Sequence, residues 1–383
     1  MMKLSPYLGR ASEFLIINSG RSSCLSSRSA LLARHGSTTS GRSAAGPQDA
    51  NDMNTSPKSS AADMNPTSTR HTYIPRRAMM YIPGDDAKKI AKIPTLIVDC
   101  PVLECEDGVA LNRKEEARQL IHKTLETADW VKERKTRGLD VAVRINSFQS
   151  GLADQDLQSL LSAKTLPTTL LIPKIEGKEE LRHTAHILTE KLAGRAGRDP
   201  LRLILYIESA KALLSMRKLL KTALKVADES HNLLALDGVV FGSDDYCADI
   251  GANRSNEAKE VLFARQYFLT VVKSFQRSLQ AIDLVHIDFK DLDDLRRQSE
   301  EGARFGFTGK QVIHPAQVDV VQQAYSPAPD KLKWAQEVVE AFTRHQKEGK
   351  GAFNFRNAMI DRPLLLQAEN IVAYAKLIGQ PQR

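Results

Sequence analysis

From residue 76 onward, short apolar runs alternate with longer segments in which apolar residues recur every three or four positions. The short runs predict β-strands, and the longer segments predict amphipathic helices. The predicted strands are residues 78–82, 102–106, 141–145, 170–174, 203–208, 238–242, 281–286 and 311–314. Helical spacing is clearest in residues 114–127, 178–191, 210–227 and 257–276. The chain therefore has the alternating order of an α/β protein.

The strand runs are mostly apolar throughout, which predicts a parallel sheet with helices on both faces. Eight strand–helix units within residues 76–326 match a (β/α)8 TIM barrel, a fold that typically takes about 250 residues. An open doubly wound sheet is the alternative, although no Gly-x-Gly-x-x-Gly turn follows the first strand. Residues 327–383 come after the eighth unit, and their amphipathic pattern predicts a C-terminal helical extension.

The first 47 residues differ in composition from the rest of the chain. They are rich in Ser and contain six Lys or Arg residues against one acid, Glu13, a net charge of +5. This composition is typical of a mitochondrial transit peptide, and it predicts a location in the mitochondrial matrix; an ordinary disordered tail is the alternative. Residues 48–75 are polar and low in aromatic residues, which predicts a disordered linker.

Charge and cysteine content narrow the possible partners. The formal net charge is +8, but most of it lies in the first 47 residues, so bulk charge gives little support to a nucleic-acid partner. The sequence has no apolar run of about 18 residues, and we therefore predict no membrane span. Cys100 and Cys105 lack the spacing of a zinc site, and no pair of His residues lies near them.

Polar residues recur at the predicted strand ends, where barrel enzymes carry their active sites. They are Glu106, Asp107, Arg144, Lys174, Glu208, Asp244, Asp245 and His314, and Gly84 follows the first strand. Glu208 and Asp245 offer oxygen ligands without a Cys/His cluster, which favours Mg²⁺. Taken singly, Glu208 is explained equally well by an ion pair or a helix N-cap, and Asp245 by a cap of the next helix.

Basic residues near these acids have two interpretations each. Arg144 at a strand end could bind a carboxylate or stabilise an enolate, or it could simply pair with Glu106 or Asp107. Lys88, Lys89 and Lys92 follow the Pro83-Gly84 turn. They could contact phosphate groups, or they could form the solvated face of a helix.

Seven segments resemble, in order, the motifs of citrate lyase β-subunit-like enzymes. They are residues 77–84 (RAMMYIPG), 104–109 (ECEDGV), 144–146 (RIN), 171–176 (LIPKIE), 207–209 (IES), 241–245 (FGSDD) and 306–315 (GFTGKQVIHP). The similarity spans residues 76–378. Glu104 departs from the pattern, because the family usually has Asp there. An extra methylene could alter the contacts of that side chain without touching the expected metal ligands.

The resemblance implies a Mg²⁺-dependent lyase that cleaves (3S)-citramalyl-CoA to acetyl-CoA and pyruvate. It also implies a homotrimer with a side activity as a malate synthase, which is an acyltransferase. By residue, it implies Glu208 and Asp245 as Mg²⁺ ligands, Tyr81, Lys88, Lys92, Arg144, Ile313 and His314 as contacts of substrate or coenzyme A, and Asp361 as the catalytic acid/base. Arg144 would stabilise the enolate, and Asp361 would act in its own or in a neighbouring subunit.

Other activities stay open at this point. A malate synthase or a malyl-CoA lyase-type enzyme would use the same residues on a different acyl group. A pyruvate aldolase that works without coenzyme A fits less well. The alternative that is not an enzyme is a non-catalytic subunit of a citrate lyase complex.

Overall fold

Eight parallel strands close into a barrel in sequence order in the computed structural model, which describes residues 73–195, 199–275, 279–347, 352–356 and 358–379. The strands are β1 Ala78–Pro83, β2 Cys100–Glu104, β3 Ala142–Arg144, β4 Thr169–Ile172, β5 Leu201–Ile207, β6 Leu234–Phe241, β7 Gln280–Asp283 and β8 Gly309–Val312. Strand β1 pairs with both β2 and β8, which closes the sheet. This topology confirms the TIM barrel and excludes the open sheet.

Helices connect the strands and surround the barrel. They are α1 Ala87–Ile90, α2 Lys114–Thr127, α3 Asp129–Lys132, α4 Ala153–Ser162, α5 Lys178–Leu192, α6 Ala210–Glu229, α7 Ser243–Ile250, α8 Leu262–Lys273, α9 Leu292–Phe305 and α10 Pro315–Ala324. Short 3₁₀ turns lie at Ile93–Thr95, Leu111–Arg113, Phe148–Ser150 and Lys259–Val261. Among the described residues, no helix is long and apolar enough to cross a membrane.

Two layers of apolar side chains hold the barrel together. The inner layer fills the barrel with Met79, Cys100, Val102, Ala142, Leu171, Ile204, Tyr206, Val240 and Ile282. The outer layer is larger and lies between the strands and the helices, with members such as Leu205, Phe241 and Phe268. Because successive strand residues point to opposite faces, the same strands supply both layers.

Several strands end earlier than the sequence pattern predicts. Strand β2 ends at Glu104 and strand β4 at Ile172, two residues before the expected ends. Pro173 has no N–H to donate, so it cannot continue the β4 ladder. Strand β8 likewise ends at Val312, and His314 is the N-cap of α10. Consequently Glu106, Lys174 and His314 lie in loops above the carboxyl-terminal end of the barrel.

The C-terminal extension has its own small core. It consists of α11 Pro329–Lys347, an antiparallel hairpin of β9 Phe353–Phe355 and β10 Ala358–Ile360, and α12 Arg362–Leu377. Val338 and Phe342 from α11 pack with Ile360 and Leu365 in a cluster separate from the barrel core. The extension is therefore not purely helical, because the segment between its two helices forms a hairpin.

The structure describes only the last residues of the predicted N-terminal segments. The predicted transit peptide, residues 1–47, lies outside the described residues, as do residues 48–72 of the predicted linker. The sequence predicts a linker that runs to residue 75, but the Ile74 carbonyl accepts a hydrogen bond from buried Gln280 at 2.8 Å. Residues 73–75 thus already belong to the folded part, because a buried amide needs a partner.

Candidate active site

A cavity of about 780 Å³ opens at the carboxyl-terminal ends of the barrel strands. Its lining includes seven of the residues predicted for the site, Tyr81, Lys92, Arg144, Glu208, Asp245, Ile313 and His314. Lys89 also lines it, together with Glu104, Asp107, Tyr206, Ser243, Asp244 and Gln311. Lys88 and Asp361 do not belong to the lining formed by the described residues. The strand ends therefore bring most of the predicted residues to one place.

Arg144 ends β3 and lies at the floor of this cavity, with its side chain only 11% exposed. Its Nε donates to Glu104 Oε2 at 2.6 Å, and its Nη1 lies 3.0 Å from Glu106 Oε2 and 3.6 Å from Asp107 Oδ2. Burial favours the uncharged guanidine, but the adjacent carboxylates outweigh it and raise the pKa of Arg144 further. The guanidinium is thus a fixed positive charge.

Two tyrosines lie against Arg144 from inside the barrel. Its guanidinium carbon is 5.2 Å from the centre of the Tyr81 ring and 5.4 Å from that of Tyr206. The two hydroxyl groups hydrogen bond to each other. This arrangement combines cation–π attraction with ion pairs on the opposite edge, so the orientation of Arg144 is set from two sides.

Glu208 follows β5 directly and is almost completely buried. Its Oε1 accepts a hydrogen bond from the backbone N–H of Lys174, and Ser209, not Glu208, caps helix α6. Burial raises the pKa of Glu208 to about 8, with the negative charges of Asp245 and Glu106 adding to the shift. The interpretation of Glu208 as a helix cap is therefore wrong.

Asp245 lies in the first turn of α7, beyond the N-cap Gly242. Its side chain is about half exposed and faces the cavity, with its Oδ1 3.8 Å from Lys174 Nζ. Gly242 makes the close approach of Glu208 possible, because a Cβ on Gly242 would meet Glu208 Oε2 at 2.6 Å. The sequence Phe241-Gly242 thus lets two carboxylates face the same space.

Lys174 links the other acids of the site. Its Nζ lies 3.0 Å from Glu106 Oε1 and 3.2 Å from Asp107 Oδ1. The charges of Glu106 and Asp107 raise the pKa of Lys174 although burial opposes them. Burial raises the pKa of Glu106 to about 7, and the charge of Asp107 adds to this effect. Lys174 and Arg144 together do not balance the surrounding carboxylates.

The donor set fits a divalent cation. Within the described part of the chain, no group of three or more His, Cys, Asp or Glu side chains is arranged around a common metal position. Glu208 and Asp245 nevertheless place two carboxylates beside one cavity, and burial and mutual repulsion already raise the pKa of Glu208. A cation between them would relieve that repulsion, and Mg²⁺ commonly binds one or two carboxylates plus water and substrate oxygens.

The lining of the cavity includes exposed lysines and one member of an aromatic pair. Lys89 and Lys92 lie in and just after α1 and are exposed. His314 also lines the cavity, and its ring stacks on Phe289 with centroids 4.7 Å apart. Ile313 next to it is 42% exposed. Exposed cations and flat rings at a cavity mouth suit a ligand with phosphates and a purine base.

Asp361 is exposed and lies apart from the residues that line the cavity. It is the N-cap of α12, where its Oδ1 accepts a hydrogen bond from Leu364 N at 3.2 Å. Tyr374, near the other end of α12, interacts electrostatically with Arg77 and Asp99, which flank the amino-terminal ends of β1 and β2. The carboxyl-terminal part of helix α12 therefore lies near the amino-terminal side of the barrel, and the cavity opens on the opposite side.

Three contributors to the site do not follow from the sequence pattern. Glu104 pairs with Arg144 at 2.6 Å, closer than either Glu106 or Asp107 does. Tyr206 lies within an apolar strand, and nothing in the apolar pattern marks it as a site residue. Alternation along the strand does predict that it shares the inner face of the barrel with Ile204. Lys174 is expected at a strand end, but its contacts with three acids of the site depend on loop geometry.

Comparisons with known proteins agree with this geometry. A profile of the family HpcH/HpaI aldolase/citrate lyase matches residues 77–315. The chain belongs to this family. It is 51% identical over 314 residues to a protein named "Citramalyl-CoA lyase, mitochondrial" from Homo sapiens, covering 82% of this chain and 89% of that protein. It is 26% identical to the citrate lyase subunit beta of Escherichia coli strain K12, covering 79% and 94%.

A solved structure shares the fold. The protein CitE from Mycobacterium tuberculosis superposes with a TM-score of 0.59 at 27% identity, covering 79% of this chain and 98% of that one. That structure is a complex with magnesium, acetoacetate and coenzyme A. Family membership and the barrel are thus established together.

Proposed function

We propose that this chain is a mitochondrial Mg²⁺-dependent lyase that cleaves (3S)-citramalyl-CoA to acetyl-CoA and pyruvate. The observation that carries the proposal is the cavity at the strand ends. In it Glu208 and Asp245 face a buried Arg144, and lysines lie at the mouth. The human relative that is 51% identical over 82% of this chain bears the name of this activity.

Glu208 and Asp245 would hold Mg²⁺ in this site. When bound, the metal would act as a Lewis acid toward the substrate's hydroxyl and carboxylate oxygens. Lys89, Lys92 and the Phe289–His314 stack would hold the coenzyme A part at the mouth of the cavity. The acyl group would then extend inward, toward Arg144 and the carboxylates.

The reaction breaks the bond between the carbinol carbon and the methylene next to the thioester. The hydroxyl group gives up its proton to water, its oxygen becomes the ketone oxygen of pyruvate, and the electron pair of the broken carbon–carbon bond passes into the thioester as an enolate. Arg144 would stabilise the enolate oxygen, because Glu104 and the two tyrosine rings already fix its guanidinium. Protonation of the enolate carbon then gives acetyl-CoA.

Asp361 would supply that proton from a neighbouring subunit. Asp361 does not line the cavity of its own barrel, and its helix ends on the amino-terminal side of that barrel, so the site it serves would belong to another copy in a homotrimer. Positioned acids contribute roughly 10²- to 10⁴-fold to rate, and Asp361→Asn should lose turnover in this range. Mixing inactive Asp361→Asn with inactive Glu208→Ala protein should restore activity, since mixed trimers contain sites with both residues. No recovery after subunit exchange would contradict action between subunits.

We place the protein in the mitochondrial matrix, a proposal that the composition of the first 47 residues and the word "mitochondrial" in the name of the human relative support. Fusing residues 1–72 to a fluorescent reporter should direct it to mitochondria, and replacing the six basic residues of the first 47 with Gln should abolish the effect. A diffuse wild-type fusion would contradict the proposal.

A substrate panel tests the acyl specificity. Purified protein with Mg²⁺ should act fastest on citramalyl-CoA, and more slowly on malyl-CoA and on glyoxylate with acetyl-CoA. A faster condensation of glyoxylate would support a malate synthase instead. Turnover of none of the three by the homo-oligomer would favour a non-catalytic subunit.

A further inference from the structure

Lys174 has a backbone conformation that is uncommon for its residue type. Its φ is 52°, in the left-handed region that Cβ-bearing residues seldom adopt. The residue follows Pro173 directly after β4, at the carboxyl-terminal rim of the barrel. Such conformations persist where surrounding contacts enforce them, and they concentrate at functional sites.

Contacts at the Lys174 carbonyl and at the three residues after it enforce this turn. Gln149 Nε2 donates to the Lys174 carbonyl at 2.9 Å and to Glu180 Oε1 at 2.8 Å. Glu180 Oε2 in turn accepts from the backbone N–H groups of Glu176 and Gly177 at 2.9 Å and 3.1 Å. Ile175 between them is buried in the outer core. The turn from Lys174 to Gly177 is therefore fixed by side chains of two neighbouring segments.

The turn has one consequence inside the cavity. It aims the Lys174 N–H at Glu208 Oε1, which accepts its hydrogen bond. Glu208 Oε2 then lies on the side of Gly242, where a Cβ would approach it to 2.6 Å. Gly242 also begins the helix that carries Asp245. One oxygen of Glu208 is thus bound to the backbone, and the other lies beside Gly242, the N-cap of the helix that carries Asp245.

We propose that Lys174 is a positioning residue whose left-handed backbone orients Glu208 for the metal. The inference rests on the proposed function, because it takes Glu208 as a Mg²⁺ ligand. The backbone of Lys174 orients Glu208, and this role is separate from that of the ammonium group, which contacts Glu106, Asp107 and Asp245.

A matched pair of variants isolates the backbone. Lys174→Asn and Lys174→Val both remove the ammonium group. Asn accepts the left-handed region, whereas a β-branched residue resists it. The readout is Mn²⁺ affinity of the full chain, measured from the free Mn²⁺ signal in electron paramagnetic resonance without substrate. We expect Lys174→Val to bind Mn²⁺ at least 10-fold more weakly than Lys174→Asn, in line with the effect of groups that orient metal ligands. Equal affinities would overturn the proposal.

Two controls distinguish a turn that positions a metal ligand from a turn that only stabilises the fold. Thermal unfolding of both variants in EDTA reports on stability alone. If Lys174→Val loses stability but binds Mn²⁺ as well as Lys174→Asn, the turn is only structural and the proposal fails. If Lys174→Val does not fold, Lys174→Ala against Lys174→Gly provides the same contrast, because Gly favours positive φ and Ala does not.

Glu208→Ala distinguishes failure of this inference from failure of the proposed function. Wild-type Mn²⁺ affinity in Glu208→Ala would refute the ligand assignment, and the positioning role with it. Lost affinity in Glu208→Ala together with equal affinities of the Lys174 pair would refute the positioning role alone. Lost Mn²⁺ affinity in Glu208→Ala, together with weaker Mn²⁺ binding by Lys174→Val than by Lys174→Asn, would support both the ligand assignment and the positioning role.

Discussion

The two ends of the barrel both bury charged residues, but they balance them differently. At the amino-terminal end, buried Arg76 pairs with Asp140 and lies 2.7 Å from Asp237, and Arg202 lies 2.8 Å from Asp237. Thr169 donates to Asp140 at 2.7 Å. Two arginines thus face two aspartates. At the carboxyl-terminal end, one connected cluster sets five carboxylates, Glu104, Glu106, Asp107, Glu208 and Asp245, against Arg144 and Lys174, while the exposed Lys89 and Lys92 line the same cavity without an ion pair to these acids.

The pKa values follow this difference. Burial tends to raise the pKa of Asp237, but Arg76 and Arg202 outweigh it and hold the pKa below its usual value. Burial raises the pKa of Glu208 to about 8, and neighbouring acids add to the shift. Removing one partner from a closed, balanced network of buried ion pairs destabilises the fold, whereas an excess of carboxylates at a cavity attracts a cation. We therefore propose that the charged residues at the amino-terminal end stabilise the fold and that those at the carboxyl-terminal end serve the reaction.

The largest expected effect is loss of the metal site. Glu208→Ala should lower kcat for citramalyl-CoA about 10³-fold, because the loss of several kcal/mol of metal assistance costs roughly that factor. A Mg²⁺ titration of the rate should show no saturation in the range of the wild type. Asp245→Ala should behave in the same way. An unchanged titration in either variant would remove that residue from the site.

Replacement of Arg144 should have the next largest effect. Arg144→Lys keeps the charge but loses the forked contact with Glu104 and Glu106, and kcat should fall about 10²-fold. Mn²⁺ affinity should stay near the wild-type value, because Arg144 is not a metal ligand. A rate within a factor of about two of wild type would exclude the assigned role of Arg144.

At the balanced end, a substitution should affect stability and leave chemistry intact. Asp140→Ala leaves Arg76 without one of its buried partners and should lower the free energy of unfolding by about 3 kcal/mol. Urea unfolding measures this loss, and KM and Mg²⁺ affinity at a permissive temperature are the controls. A large change in Mg²⁺ affinity with unchanged stability would contradict the proposal that the amino-terminal end has a structural role only.

The smallest effect concerns pH. The pKa of Glu208 in the folded state is raised to about 8, so its contribution to stability is complete at acidic pH and lost as pH rises through about 8. In EDTA, the melting temperature of the wild type should therefore fall toward pH 8 relative to Glu208→Gln, which carries no charge there. Mg²⁺ should offset the fall in the wild type. Parallel curves for both proteins in EDTA would contradict the raised pKa.

The order of the barrel and most of the cavity could be predicted from the sequence, because strand ends of a closed parallel barrel share one face. Glu208 and Asp245 followed from that rule. The pairing of Arg76 with Asp140 could not, since it joins residues 64 positions apart that no local pattern connects. The left-handed turn at Lys174 was equally inaccessible, because side chains from other segments enforce it.

The link between the carboxylate-rich end and lyase chemistry is tested most directly by following the products from citramalyl-CoA with and without metal. Purified full-length protein should release pyruvate and acetyl-CoA in equal amounts. EDTA should stop the release, and Mg²⁺ should restore it. Turnover that continues unchanged in EDTA, or no cleavage of citramalyl-CoA with Mg²⁺ present, would contradict the account.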